Sequence, residues 1–213
     1  HRDLHSFPTR RSSDLIGPYV SKNILAEVEP FEESSDAFGL TIQHLRDQGI
    51  EAYYAEWLIT GRPKVILLNP DSVSPEKLKM IRYNLYAEYG IPTPEDHVLV
   101  NRVIAFSYLT ALFIETFIQF ADKDHPVIAH FHEWMAGLPI LDIKQKKLPV
   151  KTIFTTHATQ LGRHLAINSP QFYAHLPFFK WELEVPKFGI EPEARIEFAC
   201  ANNADILSTR SEE

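Results

Sequence analysis

Two histidine-bearing turns, each standing where a strand should end, constrain this chain more than any other feature. Val127 to Arg163 reads VIAHFHEWMAGLPILDIKQKKLPVKTIFTTHATQLGR. Val127 to Ala129 is a short apolar run suited to a buried strand, and His130-Phe131-His132-Glu133-Trp134 follows it directly. Ala136 to Lys146 carries helical spacing through Leu138, Leu141 and Ile143, and Pro149 stops it. Val150 to Thr155 is again β-branched and apolar, and Thr156-His157-Ala158-Thr159 closes it. Strand, helix, strand of this length is a βαβ unit. Its two strands run parallel, so both histidine turns lie at the carboxyl ends, where open α/β sheets bind ligands.

The same alternation extends along the chain. Ser34-Ser35-Asp36 supplies cap candidates for a helix with Phe38, Ile42 and Leu45 on one face, and Gly49 supplies its stop. Ile24 to Val28 reads as a short strand or a loop. Ile50 to Leu58 and Val65 to Leu68 read as strands around a Gly61-Arg62-Pro63 turn. Ser74 and Pro75 open a helix that Gly90 ends. A long apolar helix covers about Glu95 to Ala121. Asn168 to Gly189 reads as an irregular aromatic excursion, packed or beside a ligand. Pro192 opens a helix through Ala201, and Asp205 to Thr209 reads as another buried strand. The expected fold class is α/β, Rossmann-like, a largely parallel sheet with helices on both faces.

Composition removes several function classes. Net charge is -7, and Lys144-Gln145-Lys146-Lys147 is the one basic cluster, so no nucleic-acid partner is expected. Val103 to Phe120 has the length of a membrane span but carries Glu115 and Gln119, which favours a helix buried in protein. The lone Cys200 fits a reducing, cytoplasmic setting. His1 to Leu15 lacks periodicity, resembles a translated sequencing-adapter read-through, and is set aside as non-native. The expected domain is therefore residues 16–213, truncated at both ends.

Residue by residue, the two turns admit more than one chemistry. His130 and His132 can share a strand face. They serve as a structural pair, as hydrogen-bonding groups for a substrate, or, with His157 as third ligand, as a metal site. Glu133 stands where a carboxylate caps a helix start. Trp134 suits packing, and Gly137 suits close approach of helix to sheet. The TTHAT turn can hydrogen-bond a sugar or phosphate, and Arg163 can meet a phosphate or form a surface ion pair. The usual nucleotide fingerprints and the nucleophile elbow are missing from the sequence.

HFHEWMAG, followed by KLPVKTIFTTHATQLGRHL, resembles the amino-terminal domain of glycogen synthases of the animal and fungal type. IGPYV at Ile16 and YYAEWLITGRPKVILLN fit the same family in order and spacing. The resemblance implies a retaining glycosyltransferase of GT-B architecture. Such an enzyme moves glucose from a nucleotide sugar, usually UDP-glucose, to the 4-hydroxyl end of an α-1,4-glucan without metal or cofactor. It implies that His132 is the active-site histidine that contacts the donor glucose. Thr156, His157 and Thr159, with Arg163, would line the substrate cleft. His130, Glu133, Trp134 and Gly137 would be motif residues with structural roles.

The family's opening strand and K-V-G-G loop should precede Ile16, and its second domain should follow Glu213. The expected partners are thus the nucleotide sugar, the glucan and that missing carboxyl-terminal domain, with no membrane and with homo-oligomerisation left open. The chain alone is expected to be inactive. A metal-dependent hydrolase using His130 and His132, and a non-catalytic carbohydrate-binding module using Phe172 to Trp181, stay open beside this reading.

Overall fold

The structure is a computed structural model and describes residues 14–32 and 34–209. Of the segment set aside as adapter-like, residues 1–13 lie outside the described residues; Leu15 belongs to the first strand. The chain divides into two compact units that meet in sequence at Ser72 and Val73.

In the first unit, β1 (Leu15–Pro18) precedes a 3-10 turn (Lys22–Ala26) and β2 (Val28–Pro30). Helix α1 (Ala37–Asp47) starts where the Asp36 carboxylate accepts the Gly39 amide at 2.8 Å. Ile42 and Leu45 lie on its buried face, and Gly49 turns the chain at φ 81°. Strands β3 (Ala52–Trp57) and β4 (Lys64–Leu68) form a hairpin through Gly61 and Arg62, both at positive φ. The strand order is β1-β4-β3-β2, with only β1 and β4 parallel. This sheet is mixed where a largely parallel one was expected, because a turn as short as Gly61-Arg62-Pro63 can join only antiparallel neighbours. One face buries Tyr19, Val28, Ala55, Val65 and Leu67, which alternate with Tyr54, Ile66 and Leu68 on the other.

The second unit opens with α2 (Pro75–Tyr89), capped by Ser74 and ended by left-handed Gly90. Helix α3 (Val98–Phe120) is apolar and long enough to span a membrane, yet 61% of its most apolar window is buried inside the protein. Phe113, Ile104 and Leu109 on it are almost wholly buried, each contributing about 1.5–3 kcal/mol of transfer free energy.

The βαβ unit follows: β5 (Val127–His132), α4 (Glu133–Gly137), α5 (Pro139–Gln145) and β6 (Val150–Thr156). The single helix expected from Ala136 to Lys146 is two. Helix α4 begins directly at Glu133 and ends before Pro139, which lacks an N–H and opens α5.

Beyond β6 lie α6 (Gln160–Asn168), α7 (Phe172–His175), a 3-10 turn (Leu176–Phe178), α8 (Trp181–Phe188), α9 (Glu191–Asn203) and β7 (Ile206–Thr209). The excursion expected to be irregular is thus a run of short helices. It leaves Tyr173 and Phe178 exposed. Strands β5, β6 and β7 form a parallel sheet in that order. β7 is an edge strand whose Ile206 and Leu207 are over half exposed, not the buried strand its composition suggested.

Candidate functional site

The site forms at the carboxyl ends of β5 and β6, which the parallel register holds side by side with His132 opposite Thr155. Residues 130 and 132 point to one face of β5, and Phe131 to the other, where it is buried. The His130 and His132 rings lie 4.1 Å apart between centroids. His130 Nε2 meets Thr155 Oγ1 at 2.7 Å, and Thr155 Oγ1 in turn meets Ser208 Oγ. The contacts run from His130 on β5 diagonally to Thr155 on β6, which stands opposite His132, and on to the register partner of Thr155, Ser208 on β7. They orient the His130 ring and engage one of its nitrogens.

His132 is exposed, and its Nδ1 faces His157 Nε2 at 3.3 Å with the rings nearly parallel. Partial desolvation of the ring against the strand ends, then the neighbouring His130 and His157, hold the His132 pKa below its ordinary value, against the opposing pull of Glu133. A low pKa keeps the imidazole neutral near pH 7. With one nitrogen turned to His157, Nε2 is left for a ligand, as donor or acceptor according to the tautomer.

The loop that carries His157 is tied down at several points. The Glu133 carboxylate accepts the His157 amide at 2.8 Å. Glu133 was expected to cap the first turn of its own helix. Its side chain is drawn instead across to the neighbouring strand end, and its backbone takes a left-handed φ of 62°. Thr159 caps α6 by accepting the Gly162 amide, and Arg163 Nε donates to the Ala158 carbonyl. Arg163 is thus spent partly on the loop's own backbone. The Thr156 hydroxyl oxygen is buried without a hydrogen-bond partner.

Beneath the site, Trp134 is 3% exposed. A Cβ on Gly137 would stand 2.7 Å from Cys200 Sγ and 2.9 Å from Phe154, so α4 packs on α9 and β6 at a distance only glycine permits.

Sequence reasoning missed Glu197. It lies on α9, 7% exposed, and accepts the Gln160 amide at 2.9 Å. The signal was present: Glu193, Glu197 and Cys200 recur at helical spacing on an apolar face, where a carboxylate is out of place. Thr155 and Ser208 were missed too, since bland hydroxyls gain meaning only from the register that joins them. Among the described residues no group of three His, Cys, Asp or Glu side chains is arranged to hold a metal.

Comparison with known proteins adds to this geometry. Residues 10–213 match the family described as glycogen synthase. The chain is 39% identical over 197 residues to the glycogen [starch] synthase of Neurospora crassa. It is 36% identical over 198 residues to the liver glycogen [starch] synthase of Rattus norvegicus. It is also 36% identical over 207 residues to isoform 1 of Saccharomyces cerevisiae. These matches cover 92–93% of this chain but only 28–29% of each relative's length.

Proposed function

We propose, from the premise that this chain belongs to the glycogen synthase family, that it acts as one wall of the active-site cleft of a longer retaining glycosyltransferase. That enzyme transfers glucose from a nucleotide sugar, UDP-glucose in our reading, to the 4-hydroxyl end of an α-1,4-glucan. The α/β architecture, with its parallel β5-β6-β7 sheet, agrees with the Rossmann-like domains of the GT-B class. The observation that carries the reading is the pairing of His132 with His157 at adjacent parallel strand ends.

In this reading His132 donates or accepts a hydrogen bond at the donor glucose. It also faces the charge that develops near the anomeric centre as the bond to phosphate lengthens. A positioned, neutral imidazole serves that role without reorganising during the reaction. His157, Thr156 and Thr159 line the neighbouring part of the cleft, and Arg163 is near enough in sequence to contribute to a phosphate subsite. The nucleotide sugar is a substrate, and the reaction needs no cofactor. The reducing cytoplasm suits the buried thiol of Cys200.

The test is transfer of labelled glucose to glycogen by the longer enzyme, with UDP-glucose and ADP-glucose offered separately. Wild type should transfer from UDP-glucose, and His132→Ala should lose at least about a hundredfold in kcat, the scale for one positioned electrostatic group. Positioning contributes heavily to such catalysis, so the 213-residue chain alone should transfer nothing above background. An unaffected His132→Ala enzyme would overturn the assignment.

A further inference from the structure

Two carboxylates from different helices grip the His157 loop at two amides. Glu133 of α4 takes the His157 amide, and Glu197 of α9 takes the Gln160 amide. Gln160 is the first residue of α6, whose opening amides have no partner within the helix. Thr159 serves the Gly162 amide of that turn, while Glu197 serves the Gln160 amide from outside. Helix α9 cannot drift away from this task. Cys200, one turn beyond Glu197, is wedged against Gly137, and Trp181 of α8 stacks on Phe198.

We propose that Glu197 is a positioning residue: its carboxylate holds the start of α6 and thereby the direction in which His157 faces His132. Its consequence for glucosyl transfer rests on the function proposed above; its consequence for the loop does not.

The same carboxylate is poised to change charge. Burial pushes Glu197 up to about 7, against the opposing effect of the Gln160 amide. Glu133 on α4 and Glu193 on α9 add to the rise, and Arg163 on α6 offsets part of it. Glu193 is itself engaged by His97 at 3.0 Å, and Arg195 lies over Trp181 of α8. The second Glu197 oxygen is buried with no hydrogen-bond partner, so the charged form is stabilised mainly through Gln160. A charge-assisted bond to that amide above neutrality therefore becomes an ordinary neutral one below it.

The experiment is a 15N amide titration of the 213-residue chain from about pH 5.5 to 8.5, read at Gln160 and His157. In wild type the Gln160 amide should move with a midpoint near 7, and the His157 amide should show a component with the same midpoint. Glu197→Gln keeps an oxygen acceptor but not the charge. It should remove that component and leave both amides near their low-pH positions. Glu197→Leu should displace both amides further and lower Gln160 exchange protection roughly tenfold at pH 8, the scale of one hydrogen bond to a charged group. A Gln160 amide that stays in place when Glu197→Leu removes the acceptor would overturn the proposal. So would a His157 amide that stays in place in that variant. Transfer assays on His132 variants test the function separately, so the two failures are distinguishable.

Discussion

His132 ends β5 and His157 stands in the turn after β6, 25 residues on, yet the Nδ1 of His132 faces the Nε2 of His157 at 3.3 Å. A protonated His132 would set its positive charge against His157, and the His130 ring lies tilted beside it at 4.1 Å between centroids. This pairing sets how the site responds to pH.

His132 should therefore titrate below the ordinary histidine value of 6.5. Ring 15N shifts followed through a pH series would measure it. His157→Ala should move the midpoint upward but not fully to the ordinary value, since partial desolvation is the largest cause of the shift. The sign for stability follows from linkage. As pH falls below 6.5 the unfolded chain takes up a proton that folded His132 resists, so stability from this group is present above that pH and lost below it. The loss in urea midpoint between about pH 7.5 and 5.5 should be smaller in His132→Asn than in wild type.

Gly137→Ala should destabilise the chain by about 1–3 kcal/mol, the usual penalty for overpacking a close contact. Both obstructing groups, Cys200 Sγ and the Phe154 ring, are buried and have little room to yield. Urea unfolding of Gly137→Ala, Cys200→Ala and the double variant should reveal coupling. The double variant should be more stable than the sum of single effects, because the smaller residue vacates space for the new methyl.

Glu133 contributes a carboxylate and tolerates a strained backbone, and the two roles can be separated. Both Glu133→Gly and Glu133→Ala lose the acceptor for the His157 amide. Only alanine keeps the left-handed penalty at φ 62°. The glycine variant should therefore be the more stable by about 1 kcal/mol. Equal stabilities would show that the local backbone relaxes once the carboxylate is gone.

Legibility in the sequence depended on how local the cause was. Asp36, Ser74 and Gly90 set helix ends through contacts within a few residues, and the expected helices stand there. Pro139 was a local signal underweighted against a long apolar period, so one helix was expected where α4 and α5 meet. For β7 the apolar composition was legible but the edge position was not, because burial depends on which strands flank it. The aromatic excursion held too many prolines for a regular pattern, and short helices between them escaped notice.

The sequence by itself determined the βαβ unit, the placement of His130, His132 and His157 at its strand ends, and the family resemblance carried by those motifs. Periodicity, caps and breakers act over a few residues, and a parallel βαβ crossover brings its two strand ends together. Only the tertiary structure decided which groups those histidines meet. Thr155 met His130 diagonally across the parallel β5–β6 pair, and Ser208 met Thr155 as its register partner on β7. Glu133 reached the His157 amide because its backbone turned left-handed. Glu197 reached Gln160 across 37 residues because Gly137 lets α9 lie close against α4 and β6. Hydrogen bonds and desolvation act through space, and distance in space is set by packing, which no local stretch of sequence contains.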